Sequence, residues 1–239
     1  MVILAWGSVV KLYINLYMTA NRLHSHGDVV FYFIYEEVVL MMKQTCGTNK
    51  IAGVSFSVYP MSDQFVDIIL GALKEVDTSK VWMKTDDVTT TIRGKIEHIF
   101  DVSKAIFLHA ASTGEHVGYQ ATYSLGCPGD SAGDVFMAED DILMNAKQTN
   151  AMKQRIAAKF SLYPLGSDHY MDVIGEQIEA MKEHVEVSPS HYSTRLDGET
   201  IAIFDGLEKV FRATVESGSS HTVMTVSISA NSPSHQSND

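Results

Sequence analysis

Residues 51 to 59 alternate apolar with small or polar side chains: Val54, Phe56 and Val58 fall on one side, Ser55, Ser57 and Tyr59 on the other. A period of two predicts a half-buried strand, which Pro60 stops. Ser62 or Asp63 can then cap a helix by accepting its free amide hydrogens. That helix carries Phe65, Ile68, Ile69, Ala72, Leu73 and Val76, spaced three and four apart. Short strands follow at "KVWMK" and "VTTTIRG", separated by the turn pair Asp86-Asp87. A second helix buries Ile96, Ile99, Phe100, Ile106 and Phe107, and a last strand runs through "HVGYQATYSLG" towards Pro128.

The pattern then starts again. "FSVYP" at 56 to 60 returns as "FSLYP" at 160 to 164, differing only by Val58 against Leu162. Phe65, Asp67 and Ile69 meet Tyr170, Asp172 and Ile174; Thr90 meets Thr194, Gly94 meets Gly198, and Ile99-Phe100-Asp101 meets Ile203-Phe204-Asp205. His116 and Pro128 find His221 and Pro233. The chain is a duplication of a β-α-β-β-α-β unit, the second copy running from Ile156 to about Ala230. The expected fold is α+β: tandem ferredoxin-like sandwiches, each a four-stranded antiparallel sheet with both helices on one face. The bare faces need cover, either by stacking on each other or by a partner chain, so a homodimer is expected. The organisation is repeat 1 over 43–135, a solvated linker over 136–155, and repeat 2 with a polar tail over 156–239. Residues 1–42 follow neither period and read as an upstream extension, with Met41 or Met42 as the natural start. Lys11 and Asn15 interrupt their apolar run before it could span a membrane, and no basic leader or good cleavage site marks a signal peptide.

Composition narrows the function. The chain of 239 residues is 45% hydrophobic and 20% charged, as in a soluble globular protein. A formal charge of -11 argues against a nucleic-acid partner, which needs a basic face. The third strands also lack the aromatic pair on which RNA-recognition modules stack bases. Cys46 and Cys127, the two cysteines, make neither a disulfide scaffold nor a zinc site and read as thiols in a reducing compartment. No glycine-rich phosphate loop occurs. "CPGDSAGD" at 127 to 134 invites comparison with a protease nucleophile loop, with Ser131 as the serine. The scaffold is wrong for it, the second copy reads "NSPSHQS", and a glycine-rich loop explains the run. The ten histidines form no metalloprotease-type pair, and His116 and His221 read as packing or hydrogen-bonding residues. No catalytic residue and no metal ligand is assigned.

Hydroxyls beside aromatics on the central strands remain: Ser57 and Tyr59, Thr89 to Thr91, Thr122 and Ser124, with Ser161, Tyr163, Ser193, Thr194, Thr225, Ser227 and Ser229 in the second copy. They can be a solvated sheet face, since threonine favours strands. They can equally be a pocket between sheets with aromatic walls. Spacing alone leaves both readings open.

The runs "CGTNKIAGVSFSVYPMSDQF", "DTSKVWMKTDDVTTTIRGKIEHIFD", "KAIFLHAAS", "GCPGD" and "HTVMTVSISANSPS" resemble the YkoF family, binders of thiamin and its hydroxymethylpyrimidine (HMP) precursor. The resemblance spans nearly everything from Cys46 to Ser234. It implies a tight homodimer, one ligand site per repeat, no catalysis, no cofactor beyond the bound vitamin or pyrimidine, and a cytoplasmic role in salvage or uptake beside a membrane transport system. It places the first site around Val58 and Thr90 and the second around Leu162 and Thr194, with Tyr59, Tyr163 and Ser124 as weaker additions. Trp82 has no aromatic counterpart, so unequal affinities are expected. An aminopyrimidine suits such a site: each polar edge left unmet would cost ~1–3 kcal/mol, and a thiazolium can sit towards an acidic surface or an aromatic face. A small enzyme of pyrimidine or thiamin salvage and a ligand-sensing regulatory domain are the rival readings.

Overall fold

The computed structural model describes residues 50–126 and 133–234. The expected extension over 1–42, the start at Met41 or Met42, Cys46, Cys127, Ser131 and the last residues of the tail lie outside them.

Strand β1 (Ala52–Pro60) is followed by helix α1 (Phe65–Glu75), the β2 (Trp82–Thr85) to β3 (Thr90–Gly94) hairpin, helix α2 (Ile96–Ala111) and strand β4 (Val117–Leu125). After a connection holding the short helix α3 (Ala146–Thr149), the order repeats: β5 (Arg155–Leu165), α4 (Tyr170–Met181), β6 (Glu186–Ser190), β7 (Ser193–Glu199), α5 (Thr200–Glu216) and β8 (His221–Ala230). The duplicated β-α-β-β-α-β order is therefore present.

Proline 60 lies inside β1 as its last residue rather than just beyond it. Past Phe56 the strand has no β3 neighbour, and Met61 donates instead to the His116 carbonyl on the β4 side at 2.8 Å. Successive amides alternate sides, so the N–H that Pro60 lacks would face an empty edge and its absence costs no ladder bond. The cap also differs. Ser62 takes the Gln64 amide at 3.2 Å, one residue ahead of the helix, and no side chain caps α1 itself.

The two repeats do not stack sheet on sheet. They join edge to edge into one eight-stranded antiparallel sheet, ordered β2-β3-β1-β4-β8-β5-β7-β6. The seam is β4 against β8, paired from Val117↔Ala230 to Leu125↔Thr222. Each last strand would otherwise be a long unpaired edge, and mutual pairing satisfies both rows of backbone groups. Each last strand also ends in a left-handed residue at equivalent positions, Gly126 (φ 114) and Asn231 (φ 54). At Gly126 an added Cβ would lie 2.9 Å from the Ser220 carbonyl oxygen. Asparagine tolerates the conformation, and the Asn231 amide donates to the Ala111 and Glu115 carbonyls at 2.9 Å each.

All four long helices cover one face of this sheet. The inward residues of β1 and β4 (Val54, Phe56, Tyr119, Tyr123) are buried together with Phe100, Phe107, Phe204 and Phe211. Phe100 stacks on Tyr123 at 4.2 Å, while Phe107 meets Tyr119 at 5.5 Å and Phe204 at 6.1 Å. The aromatic core thus runs from α2 of the first repeat into α5 of the second, and both repeats fall in one unit. Within it Ser103, Tyr123 and Tyr119 share hydroxyl hydrogen bonds of 2.9 and 3.0 Å. Burial pushes the Tyr123 hydroxyl up to about 12 and the Tyr119 hydroxyl well above its ordinary value.

The connection between repeats is exposed over most of its length, yet it is strapped to the first repeat at several points. Arg93 donates to the Gly133 and Asp134 carbonyls, and Lys80 and Lys95 pair with Asp140 and Asp141 at 2.7 and 2.6 Å. Asn145, buried, donates through its backbone and side chain to the buried Asp101 carboxylate at 3.0 and 2.8 Å, and accepts from the Asp77 amide. The polar letters of this segment signalled solvent, but several have partners on α2, on β3 and in the α1–β2 connection. Among the described residues no helix is long and apolar enough to cross a membrane.

Candidate functional site

Alternation in β1 sends Val58 and Phe56 to the helix side of the sheet and Ser55, Ser57 and Tyr59 to the open side. On β3 the register Phe56↔Thr90 puts Thr90 on the helix side as well. Helix α1 covers this end incompletely. Of its residues only Ala72 is buried, and Phe65 is 51% exposed. A cavity of about 410 Å³ remains between β1, α1 and the β2–β3 turn. Phe56 and Val58 form its floor, Phe65, Ile69 and Leu73 its cover, and Thr85 to Thr90 its open end. The size suits a small heterocycle.

Two of the polar residues lining the cavity face each other across the β2–β3 pair. Thr85 Oγ1 and Thr90 Oγ1 sit 2.9 Å apart, joined by one hydrogen bond. Each hydroxyl brings one donor and two acceptor lone pairs, so the pair keeps one donor and several acceptor sites for a ligand. That matches a ring with adjacent nitrogen donors and acceptors.

The turn closing the cavity is held from outside. Asp86 accepts the Val88 and Thr89 amides at 2.8 and 2.9 Å, and these bonds, Thr89 first, hold its carboxyl below the usual range. Ser57 Oγ donates to the Val88 carbonyl at 3.0 Å and Ser55 Oγ to Thr89 Oγ1 at 2.9 Å. In the second repeat Ser161 Oγ donates to the Tyr192 carbonyl at 3.0 Å, the position equivalent to Val88. These sheet serines therefore position a turn.

The second repeat brings Leu162 and Thr194 to the equivalent strand positions: both lie on the helix side, with Phe160 paired to Thr194, but Leu162 is buried where Val58 is partly exposed. Thr85 is replaced by Pro189, which pairs with Thr194, so the hydroxyl pair becomes a single hydroxyl. The turn shortens to His191-Tyr192, with Tyr192 left-handed (φ 63) and fully exposed.

The remaining sequence-derived residues divide differently. Tyr59 lines the cavity rim, half exposed. Tyr163 and Ser124 are on the open face, away from Leu162 and Thr90. Ser124 Oγ is 2.9 Å from His221 Nε2, and His116 Nε2 is 3.0 Å from Ser229 Oγ. Since His116 matches His221 and Ser124 matches Ser229, these are one cross-repeat contact made twice across the seam. Both histidines make hydrogen bonds, as their sequence positions suggested. Burial lowers the pKa of His221. Trp82 also lies on the open side, opposite Arg93, where the second repeat has Glu186 opposite Asp197. It does not line the cavity. Thr85 was missed by the sequence reading; its register opposite Thr90 was the signal that could have found it.

The sequence pattern of the YKOF-related Family matches residues 51–130 and 155–235, one match per repeat. A protein of Bacillus subtilis (strain 168) named "Putative HMP/thiamine-binding protein YkoF" is 44% identical over 196 residues, covering 82% of this chain and 98% of the relative. A solved structure of the domain of unknown function DUF77 from Bacillus cereus is 25% identical, with a TM-score of 0.31, covering 33% of this chain and 78% of that one.

Proposed function

The chain belongs to the YKOF-related family, and on that premise we propose that it is a non-catalytic binding protein for thiamin or its hydroxymethylpyrimidine moiety, holding one ligand per repeat. The observation that carries this is the cavity in which Val58, Thr90 and the Thr85 hydroxyl converge under α1. The pyrimidine ring lies flat against Val58 and Phe56, with its nitrogen edge on the threonine pair. The second ligand sits over Leu162 towards Thr194. The acidic groups lining the first cavity, Asp86 and Asp87, are both exposed. Binding without turnover fits a site whose acids are solvated, since general acid–base catalysis relies on a carboxyl tuned by burial. The ligand's destination is vitamin B1 salvage in the cytoplasm, beside a membrane uptake system. The homodimer expected from the family resemblance would cover the open face of the sheet, and light scattering should return twice the chain mass.

Calorimetric titration with thiamin and with free hydroxymethylpyrimidine tests the reading. Heat with at least one of them, saturating near two ligands per chain, is expected; no heat with either ends the proposal.

A further inference from the structure

The two repeats differ in the turn that, in the first, stands at the mouth of the cavity. In the first, the turn presents two carboxylates, Asp86 and Asp87. Asp86 accepts both the Val88 and Thr89 amides on Oδ1, which fixes its carboxylate in the turn. Asp87 takes part in no hydrogen bond or ion pair among the described residues, yet it lines the cavity. The walls beside it are apolar: Phe65, Ile69, Leu73 and Val88. In the second repeat the corresponding turn is His191-Tyr192, with no carboxylate in it. The mouth of the first cavity thus carries a carboxylate with no partner among the described residues, and the equivalent turn of the second repeat carries none.

We propose that Asp87 makes the first repeat selective for a ligand with a cationic heterocycle at the cavity mouth, while the second repeat takes charged and neutral rings alike. The inference rests on the binding function above and assigns the charge preference within it. A ligand whose neutral, nitrogen-rich ring occupies the threonine pair places any second ring outward, at the turn. If that ring is cationic it meets the Asp87 carboxylate; if it is absent, Asp87 gains nothing. Thiamin and hydroxymethylpyrimidine differ by this ring, so the pair reads the effect of Asp87 directly.

The magnitude follows from exposure. A solvated carboxylate–cation contact is worth a factor of about 2–5 in affinity. Reversing the charge doubles the Coulombic change, to a factor of about 4–25. The experiment is calorimetric titration of the full chain with thiamin and with hydroxymethylpyrimidine, for the unaltered protein, Asp87→Asn and Asp87→Lys, in low and in high salt. The ratio of thiamin to pyrimidine affinity should fall with Asp87→Asn and fall further with Asp87→Lys, in one of the two binding events. The differences should shrink in about 0.5 M salt, where the screening length drops to a few ångströms. A ratio unchanged across the three proteins overturns the assignment, as does an equal shift in both binding events. If the unaltered protein gives no heat with either compound, the binding function itself has failed, and the inference with it. Asp87 is an exposed turn residue, and circular dichroism of the variants confirms that any loss is not unfolding.

Discussion

Replacing Thr90 by valine removes one hydroxyl while keeping the volume and the β-branched shape that suits a strand. Thr90 Oγ1 has one protein partner, Thr85 Oγ1 at 2.9 Å, and both residues are partly solvated. Without its partner Thr85 turns to water, so the fold should lose under ~1 kcal/mol. For a chain this size that is a melting shift within roughly 4 °C. The ligand is affected differently, because inside the cavity no water replaces the lost contact as well. One neutral hydrogen bond is worth ~0.5–1.5 kcal/mol net, a loss of about 2- to 12-fold in affinity. Since the contact is to the pyrimidine, thiamin and hydroxymethylpyrimidine should weaken together, unlike the response at Asp87. Calorimetry on Thr90→Val with both ligands, beside a thermal melt, provides the readout. Undiminished affinity for both, with the melt intact, would show that the ligand does not touch Thr90; a collapse of the melt by 10 °C or more would show the residue to be structural.

Other outcomes follow from the same contacts. Val58→Phe should fill part of the cavity floor and abolish one of two binding events while leaving the melt within a few degrees; persistence of both events would place the ligand elsewhere. Tyr123→Phe leaves the buried Tyr119 hydroxyl without its partner and Ser103 with only the Phe100 carbonyl at 3.4 Å, at ~1–3 kcal/mol or a fall of roughly 2–12 °C in melting temperature, and an unchanged melt would contradict the network. Asn145→Ala removes the three side-chain bonds that tie the strap to Asp101 and Asp77; amide exchange over residues 137–150 should rise, and equal protection would show the strap to be held otherwise. His221 has its folded pKa below the unfolded value near 6.5 because burial disfavours its charge. The unfolded chain therefore binds the proton first as pH falls. Stability contributed by neutral His221 is present above pH 6.5 and declines below it, levelling out once pH is under the folded pKa. An NMR titration of its ring giving a value at or above 6.5 would refute that.

Most of the fold was legible because each element announces itself by period. The alternation around Phe56 and Phe160, the three-and-four spacing in Ile96 to Phe107, and the Asp86-Asp87 turn are local signals, and the duplication let each copy check the other. How the copies combine was not legible. Sheet stacking and edge pairing use the same alternating pattern, and only the β4–β8 register distinguishes them. The anchoring of the connection was not legible for a related reason: a buried Asn145 looks solvated until Asp101 is known to face it. For the site, the helix-side placement of Val58, Thr90, Leu162 and Thr194 follows from alternation and register. Ser124 and Tyr163 came in as weaker additions to the resemblance, and alternation sends both to the open face. Thr85 escaped because a lone threonine before a turn carries no signal until its cross-strand partner is fixed.

A crystal structure of the protein grown with saturating thiamin tests the central claim most directly. The account predicts a pyrimidine ring on the helix side of the sheet in each repeat, against Val58 with its nitrogen edge at Thr85 and Thr90, and over Leu162 near Thr194. A ligand lying instead on the open face, across Ser124 and His221, would contradict it.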